Sequence, residues 1–251
     1  MSHHTHFSRR RFLQAMLAGA ALAPGLAVFG AGFNRLRGDR VGWARLKTPH
    51  PWWRRHATAD PILTRFFRDE TTLNIDPIWY VADADNLSEL CRYPLLFSQG
   101  VGAIVGETGR SNIAEYIRRG GFILVDACHD SGVTPDFDEF LRQQFAFYSM
   151  VLPEAKIVPL PPTHDVYRCH FEMPNPRPLH TYMAGIYDAK KEAHGLYGVM
   201  IGSRMAGIIG VCGWQCGWDH VEYPGVQPAG TDVLCMRMVV NIYIYAMMQG
   251  A

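Results

Sequence analysis

Residues 120–130 read GGFILVDACHD, and this stretch decides the fold class. Residues 122–126 form a continuous apolar run that ends in a carboxylate, which is typical of a parallel strand buried on both faces. The preceding segment, 108–119, has apolar residues at helical spacing, and Gly120 and Gly121 are expected to end it. A helix that leads directly into a fully buried strand indicates an α/β protein with a mostly parallel sheet.

The same alternation extends to both sides of this stretch. The patterns predict further helices over 58–71, 135–147 and 231–248, and further strands over 41–46, 74–81, 95–98, 156–158, 183–187, 195–201 and 205–211. The later strands are separated only by short turns. The expected fold is therefore a mostly parallel sheet flanked by helices, with a β-rich C-terminal extension and a final helix.

The N-terminus carries an export signal. Arg9 and Arg10 are followed by Phe12 and Leu13 in the order of the twin-arginine pattern, and an uncharged run continues to residue 33. The run is as long as the ~20 residues that a bilayer requires. We expect residues 1–34 to be a signal, either cleaved or retained as an N-in, C-out anchor of the inner membrane. Residues 35–251 are then a single periplasmic α/β domain.

The charge and aromatic content of the chain limit the classes of partner that it is expected to bind. The formal net charge is +1, which gives no electrostatic reason to expect nucleic acid. Aromatic residues are 12% of the chain and charged residues 19%, a balance that suits a protein interface or a well-filled core. Six cysteines in an exported protein permit disulfides, and Cys212–Cys216 is one candidate bridge.

Two predicted strand ends carry residues whose side chains can take part in catalysis. Ser98 follows one buried strand, while Asp126, Cys128 and His129 follow another. Because ligands of open α/β sheets bind at the carboxyl ends of the strands, these are candidate catalytic residues. Neither Ser98 nor Cys128 has the flanking glycines of a nucleophile elbow, so a polar strand-end loop is the alternative interpretation.

A second cluster lies at 210–220, which reads GVCGWQCGWDH. Cys212, Cys216 and His220 are candidate metal ligands, although the chain has no comparable second cysteine pair. Gly213 and Gly217 argue against a helix here, so we expect a loop. We expect this loop to be a packing or docking element rather than a catalytic one, with Trp214 and Trp218 as its large side chains and the Cys212–Cys216 bridge as a candidate to pin it. The absence of Cys-x-x-Cys-His excludes c-type haem attachment, and we expect no cofactor.

Several short motifs together resemble the DUF4159 family, a bacterial family of unknown function. These motifs are RYPLLFSQG (92–100), YIRRGGFILVD (116–126), LPPTH (160–164), CGW (216–218) and VNIYIYA (240–246). The resemblance implies a flavodoxin-like fold, similar to class I glutamine-amidotransferase-like domains, and implies no known reaction. Family members often carry paired aspartates after the Gly-Gly-Phe strand, whereas Ala127 follows Asp126 here.

Two functions are compatible with these patterns. The first is a non-catalytic accessory subunit, tethered to the membrane and docked on a membrane complex at its periplasmic side. A photosynthetic or respiratory complex is compatible with such an anchor, although no pattern in the sequence selects one. The second is a hydrolase or amidotransferase-like enzyme that uses the strand-end residues Asp126, Cys128 and His129. The incomplete catalytic pattern favours the first.

Overall fold

A computed structural model describes residues 38–49, 51–127, 137–173, 195–219 and 230–249. Its seven strands are β1 (Val41–Lys47), β2 (Ile75–Asp83), β3 (Leu95–Ser98), β4 (Phe122–Asp126), β5 (Lys156–Pro159), β6 (Tyr197–Ile201) and β7 (Arg204–Gly210). Its α-helices are α1 (Asp60–Glu70), α2 (Leu87–Leu90), α3 (Glu107–Arg118), α4 (Phe137–Val151), α5 (Trp214–Trp218) and α6 (Thr231–Met248). The export signal predicted at 1–34 lies outside the described residues.

All seven strands form one mixed sheet in the order β2-β1-β3-β4-β7-β6-β5. The five strands from β2 to β7 in this order pair in parallel, and β6 and β5 continue the sheet through antiparallel pairs. The predicted α/β class, with a sheet flanked by helices, is therefore confirmed. The strand predicted at 183–187 lies outside the described residues.

Each face of the sheet has its own apolar core. Successive residues of a strand point to opposite faces, so Leu96 joins one core while Leu95 and Phe97 join the other. Helices α3 and α4 cover the Leu96 face, and α1, α5 and α6 cover the opposite face. This burial on both sides explains why β3 and β4 consist of continuous apolar residues.

The sequence patterns located most elements closely. The final helix spans Thr231–Met248, as predicted, and α3 ends just before Gly120, whose φ of 99° is a conformation suited to glycine. Among the described residues, α6 is the one helix long and apolar enough to cross a membrane, and 56% of it is buried in the protein. It therefore also fits the description of a core helix.

The prediction of a loop at 210–220 was wrong for Trp214–Trp218, which form α5. Gly213 does not interrupt this helix, because it lies at the N-cap in the left-handed region with φ 66°. Gly217 lies within the helix at a point of close approach to Cys235. Both glycines are thus required by the local geometry.

Candidate active site

Loops from the carboxyl ends of the parallel strands meet around α5. After β1 the chain forms two short 3-10 helices, Pro51–Arg54 and Ala57–Ala59, and His56 lies between them as the N-cap of the second. Gln99 directly follows β3, Asp126 ends β4, and α5 follows β7. Four separate segments of the sequence therefore contribute to one site at the edge where ligands bind in open α/β sheets.

His56 connects a cysteine and an aspartate from the α5 segment. Its Nδ1 lies 2.7 Å from Oδ2 of Asp219. Its Nε2 lies 3.6 Å from Sγ of Cys216. Because a carboxylate only accepts, the proton of a neutral imidazole belongs on Nδ1, which leaves Nε2 to accept the thiol proton. A nucleophile, a base and a group that orients the base form the arrangement of a catalytic triad.

The three residues are held inside the protein. Cys216 is 1% exposed, Asp219 2% and His56 4%. His56 has φ 56° and ψ 15°, and it is the one non-glycine residue with positive φ among those the structure describes. Such backbone strain costs about 1–3 kcal/mol and persists where the surroundings impose it, often at functional sites.

Arg45 fixes the segment that carries this histidine. Its guanidinium forms two bonds to the Asp60 carboxylate, Nε to Oδ2 at 2.6 Å and Nη2 to Oδ1 at 2.7 Å, and both side chains are fully buried. Arg45 Nη1 also donates to the carbonyl of Arg55 at 2.7 Å. Trp43 Nε1 donates to Asp60 Oδ2 at 3.1 Å. The backbone next to the histidine is therefore tied to β1 and α1.

Asp126 positions the segment that carries the cysteine. Its Oδ1 accepts from the backbone N–H groups of Cys212 (2.9 Å) and Gly213 (3.0 Å), and its Oδ2 accepts from that of Trp214 (2.6 Å). These donors occupy both carboxylate oxygens. Asp126 is therefore a positioning residue for α5, and this contact needs no second aspartate at position 127.

Burial raises the pKa of Asp126 to about 7, against the lowering effect of the three N–H donors. Because the folded pKa lies above the ordinary value, the folded state holds this proton more tightly than the unfolded state. The resulting stabilisation is complete at low pH and is lost as pH rises towards 7. We expect the free energy of unfolding to fall by about 3 kcal/mol between pH 5 and 8 from this group.

Urea unfolding of the wild type and of Asp126→Asn at both pH values measures this effect. The variant should be less stable than the wild type at both pH values, because its amide cannot accept all three hydrogen bonds. It has no carboxyl group at position 126 that could titrate. Its stability should consequently depend less on pH than that of the wild type. Equal pH slopes for the two proteins would show that Asp126 does not titrate in this range.

Gly217 lets α5 pack tightly on α6. A Cβ at this position would clash with Sγ of Cys235, which is fully buried, and would lie 3.0 Å from its Cβ. Gly217→Ala should therefore lower the unfolding free energy by about 1–3 kcal/mol through overpacking. Denaturant unfolding tests this, with Gly106→Ala as the control, since a Cβ there meets nothing within 4 Å. Equal stability of the two variants would contradict the packing argument.

The structure gives different outcomes for the four residues that the sequence predicted to be catalytic. Ser98 is buried at the end of β3, and its Oγ accepts a hydrogen bond from the N–H of Gly100 at 3.1 Å, so it shapes the turn. Asp126 lies at the site in the positioning role above. Cys128 and His129 lie outside the described residues, so their catalytic role stays a prediction.

The residues of the α5 segment have other roles in the structure than the sequence predicted. Cys212 and Cys216 are both thiols in the structure rather than the predicted bridge, and the Cys216 thiol is directed at the histidine. Trp214 and Trp218 are 0% exposed, so they do not form a docking surface. Trp218 packs on Trp43 and Phe97, with ring centroids 6.4 and 6.2 Å apart respectively. The predicted docking loop is therefore corrected to a core element.

The predicted metal site has no counterpart in the part of the chain that the structure describes. No group of three or more His, Cys, Asp or Glu side chains is placed there to hold an ion. The proposed ligand His220 lies outside the described residues. Cys216 instead faces a histidine whose other nitrogen is bonded to Asp219.

Sequence reasoning missed His56 and Asp219. His56 lies 160 positions before Cys216 in a loop that shows no motif, so only the fold brings the two together. Asp219 follows Cys216 by three residues, and that proximity was a usable signal. The sequence predicted a loop here, and a loop gives no reason for Cys216 and Asp219 to face the same imidazole. The helix α5 places both side chains beside His56.

Fold and site together define an α/β protein with a buried cysteine–histidine–aspartate arrangement at the carboxyl edge of its sheet. A family model described as a domain of unknown function (DUF4159) matches residues 43–247, and the chain belongs to that family. No curated protein matches the sequence. The match covers β1 to α6, so it includes His56, Cys216 and Asp219.

Proposed function

We propose that this protein is an acyl-transfer enzyme, a hydrolase or amidotransferase-like catalyst, with Cys216 as its nucleophile. The observation that carries the proposal is the imidazole of His56, which is bonded to Asp219 through Nδ1 and faces the Cys216 thiol through Nε2. A histidine in this position is oriented to remove a thiol proton. This proposal places the nucleophile in the α5 segment, whereas the prediction from the sequence placed the catalytic site around Asp126, Cys128 and His129.

The chemistry follows from these roles. His56 Nε2 takes the thiol proton as Cys216 Sγ attacks an acyl carbon, and Asp219 stabilises the imidazolium that forms. The imidazolium returns this proton to the leaving nitrogen or oxygen, which departs and leaves a thioester on Cys216. Water, with its proton taken by His56, then attacks the thioester. The carboxylic acid is released and the thiol is restored.

The fold supports the same proposal. The parallel strands follow the order β2-β1-β3-β4-β7, which matches the 2-1-3-4-5 order of flavodoxin-like sheets. In that order, strands are added on one side of β1 and then on the other, so the order of the strands reverses between β1 and β3, and ligands bind at this point. His56 and Gln99 follow these two strands. We propose that the domain is flavodoxin-like and acts on the periplasmic side of the membrane, after export by the twin-arginine signal.

The test uses p-nitrophenyl acetate as a small acyl donor, because Cys216 is 1% exposed and the site must open to admit a reagent. We expect the wild type to release nitrophenol and carry one acetyl group on Cys216, located by peptide mass spectrometry. Cys216→Ala should carry none at this site. Cys212→Ser is the matched control, since Cys212 is equally buried on the same segment, and it should still be acetylated.

Acetylation that is unchanged in Cys216→Ala, or spread over all cysteines of the wild type, would overturn the proposal. The competing proposal remains the non-catalytic accessory subunit that docks on a membrane complex. It is favoured if Cys216→Ala cells assemble such a complex and grow as the wild type does while cells that lack the protein do not.

A further inference from the structure

Two glutamine side chains beside the triad are bonded to each other and still have unused polar atoms. Gln99 Nε2 donates to Gln215 Oε1 at 2.6 Å and to the Arg55 carbonyl at 3.0 Å. Oε1 of Gln99 and Nε2 of Gln215 are buried and have no hydrogen-bond partner among the residues that the structure describes. Gln215 as a whole is 0% exposed. Unsatisfied buried polar atoms are rare in folded proteins and call for a partner.

The neighbours fix which atoms are left over. The Arg55 carbonyl can only accept, so Nε2 of Gln99 must face it. Gln215 Oε1 faces Gln99 Nε2 and lies 3.5 Å from Arg45 Nη1, both of which are donors, so its oxygen must point that way. Rotating either side-chain amide by 180° would place an acceptor against an acceptor or a donor against a donor. The pair therefore offers one acceptor and one donor group.

The position of the pair connects it to the chemistry. Gln215 precedes Cys216 in α5, and the Arg55 carbonyl that Gln99 binds directly precedes His56. The pair thus bridges the backbone next to the nucleophile and the backbone next to the base. A group held by it would lie beside the reacting residues.

We propose that Gln99 Oε1 and Gln215 Nε2 bind a carboxamide, which makes amides the substrate class of this site. An amide has an N–H for Gln99 Oε1 and a carbonyl oxygen for Gln215 Nε2. A ketone or an ester has only the acceptor and would leave Gln99 Oε1 unpaired. A buried polar atom without a partner costs about 1–3 kcal/mol, which corresponds to a factor of roughly 5 to 150 in affinity. This proposal rests on the proposed acyl-transfer function.

Acetamide and acetone provide a matched test, because they have nearly the same shape and only acetamide has an N–H. Each is titrated into the ¹⁵N-labelled full-length protein while the side-chain amide resonance of Gln215 is followed by NMR. We expect acetamide to shift this resonance and to bind at least about tenfold more tightly than acetone. Gln99→Met should bind both equally, whereas the exposed control Gln143→Met should keep the preference.

Equal affinities in the wild type, or a Gln215 resonance that acetamide leaves unmoved, would overturn the proposal and indicate that water alone satisfies the two atoms. The wild-type comparison stands even if Gln99→Met fails to fold. The titrations are repeated with Cys216→Ala, which keeps the glutamine pair and cannot form the thioester, so that binding is measured there without any reaction. Failure of the acyl-transfer function, seen as absence of acetylation at Cys216, is therefore distinguishable from failure of amide recognition.

Discussion

Asp219→Asn is expected to slow acetylation of Cys216 by at least about 100-fold. In the wild type Asp219 accepts from His56 Nδ1 at 2.7 Å, which keeps the proton on that nitrogen. An asparagine amide can donate to Nδ1 instead and shift the imidazole proton to Nε2. An Nε2 that carries a proton cannot accept one from the thiol. The substitution preserves the shape of the site and removes the base.

The rate is measured with p-nitrophenyl acetate under single-turnover conditions, with circular dichroism to verify folding. Asp165→Asn is the control, because the Asp165 side chain is 84% exposed and lies outside the site. It should react at the wild-type rate. A wild-type rate for Asp219→Asn would mean that Asp219 does not orient the histidine and that the contact is structural.

Arg45→Met is expected to have the largest effect on stability, a loss of about 3–5 kcal/mol in the free energy of unfolding. Methionine retains much of the volume of arginine but leaves the carboxylate of Asp60 buried without its counter-ion. The two side chains are 0% exposed and joined at 2.6 Å, so water cannot replace the lost partner. Removal of the guanidinium also frees the Arg55 carbonyl, which Arg45 binds at 2.7 Å.

Denaturant unfolding of Arg45→Met and of the double variant Arg45→Met/Asp60→Leu separates the causes. The double variant has no unpaired charge and should recover much of the lost stability, as replaced buried ion pairs commonly do. Because the arginine also holds the backbone next to His56, the double variant should remain slow in acetylation. A single variant as stable as the wild type would show that the pair is not a structural anchor.

Much of the fold was predictable from local patterns. The buried strand Phe122–Asp126 has no polar residue before its last position, and the helix before it ends at Arg118, shortly before Gly120. Such signals lie within a few residues of the element they define. The helix Trp214–Trp218 was missed because Gly213 and Gly217 are normally unfavourable for a helix. Gly213 is the left-handed N-cap, and the need for Gly217 depends on Cys235, a residue of another helix.

The site was predictable only in part, for the same physical reason. Asp126 was recognised at a strand end, but its role depends on three N–H groups of the segment after β7. Cys216 was considered as a metal ligand or half of a disulfide, since its sequence neighbours suggested nothing else. Its base comes from the loop after β1. Cys216 and His56 come together because the parallel strands that precede them belong to the same sheet, and their spacing in the sequence does not indicate this.

The most direct test compares the acetylation rates of the individual cysteines in the native wild type by quantitative peptide mass spectrometry. If exposure governed reactivity, partly exposed Cys169 would react before Cys216, which is 1% exposed. The proposed mechanism predicts the reverse order, because His56 removes the Cys216 proton while burial raises the pKa of Cys169 to about 11. Acetylation of Cys216 ahead of the other cysteines, and its loss in Asp219→Asn, is the predicted result. A Cys216 that stays unmodified while Cys169 is acetylated would contradict an acyl-transfer role.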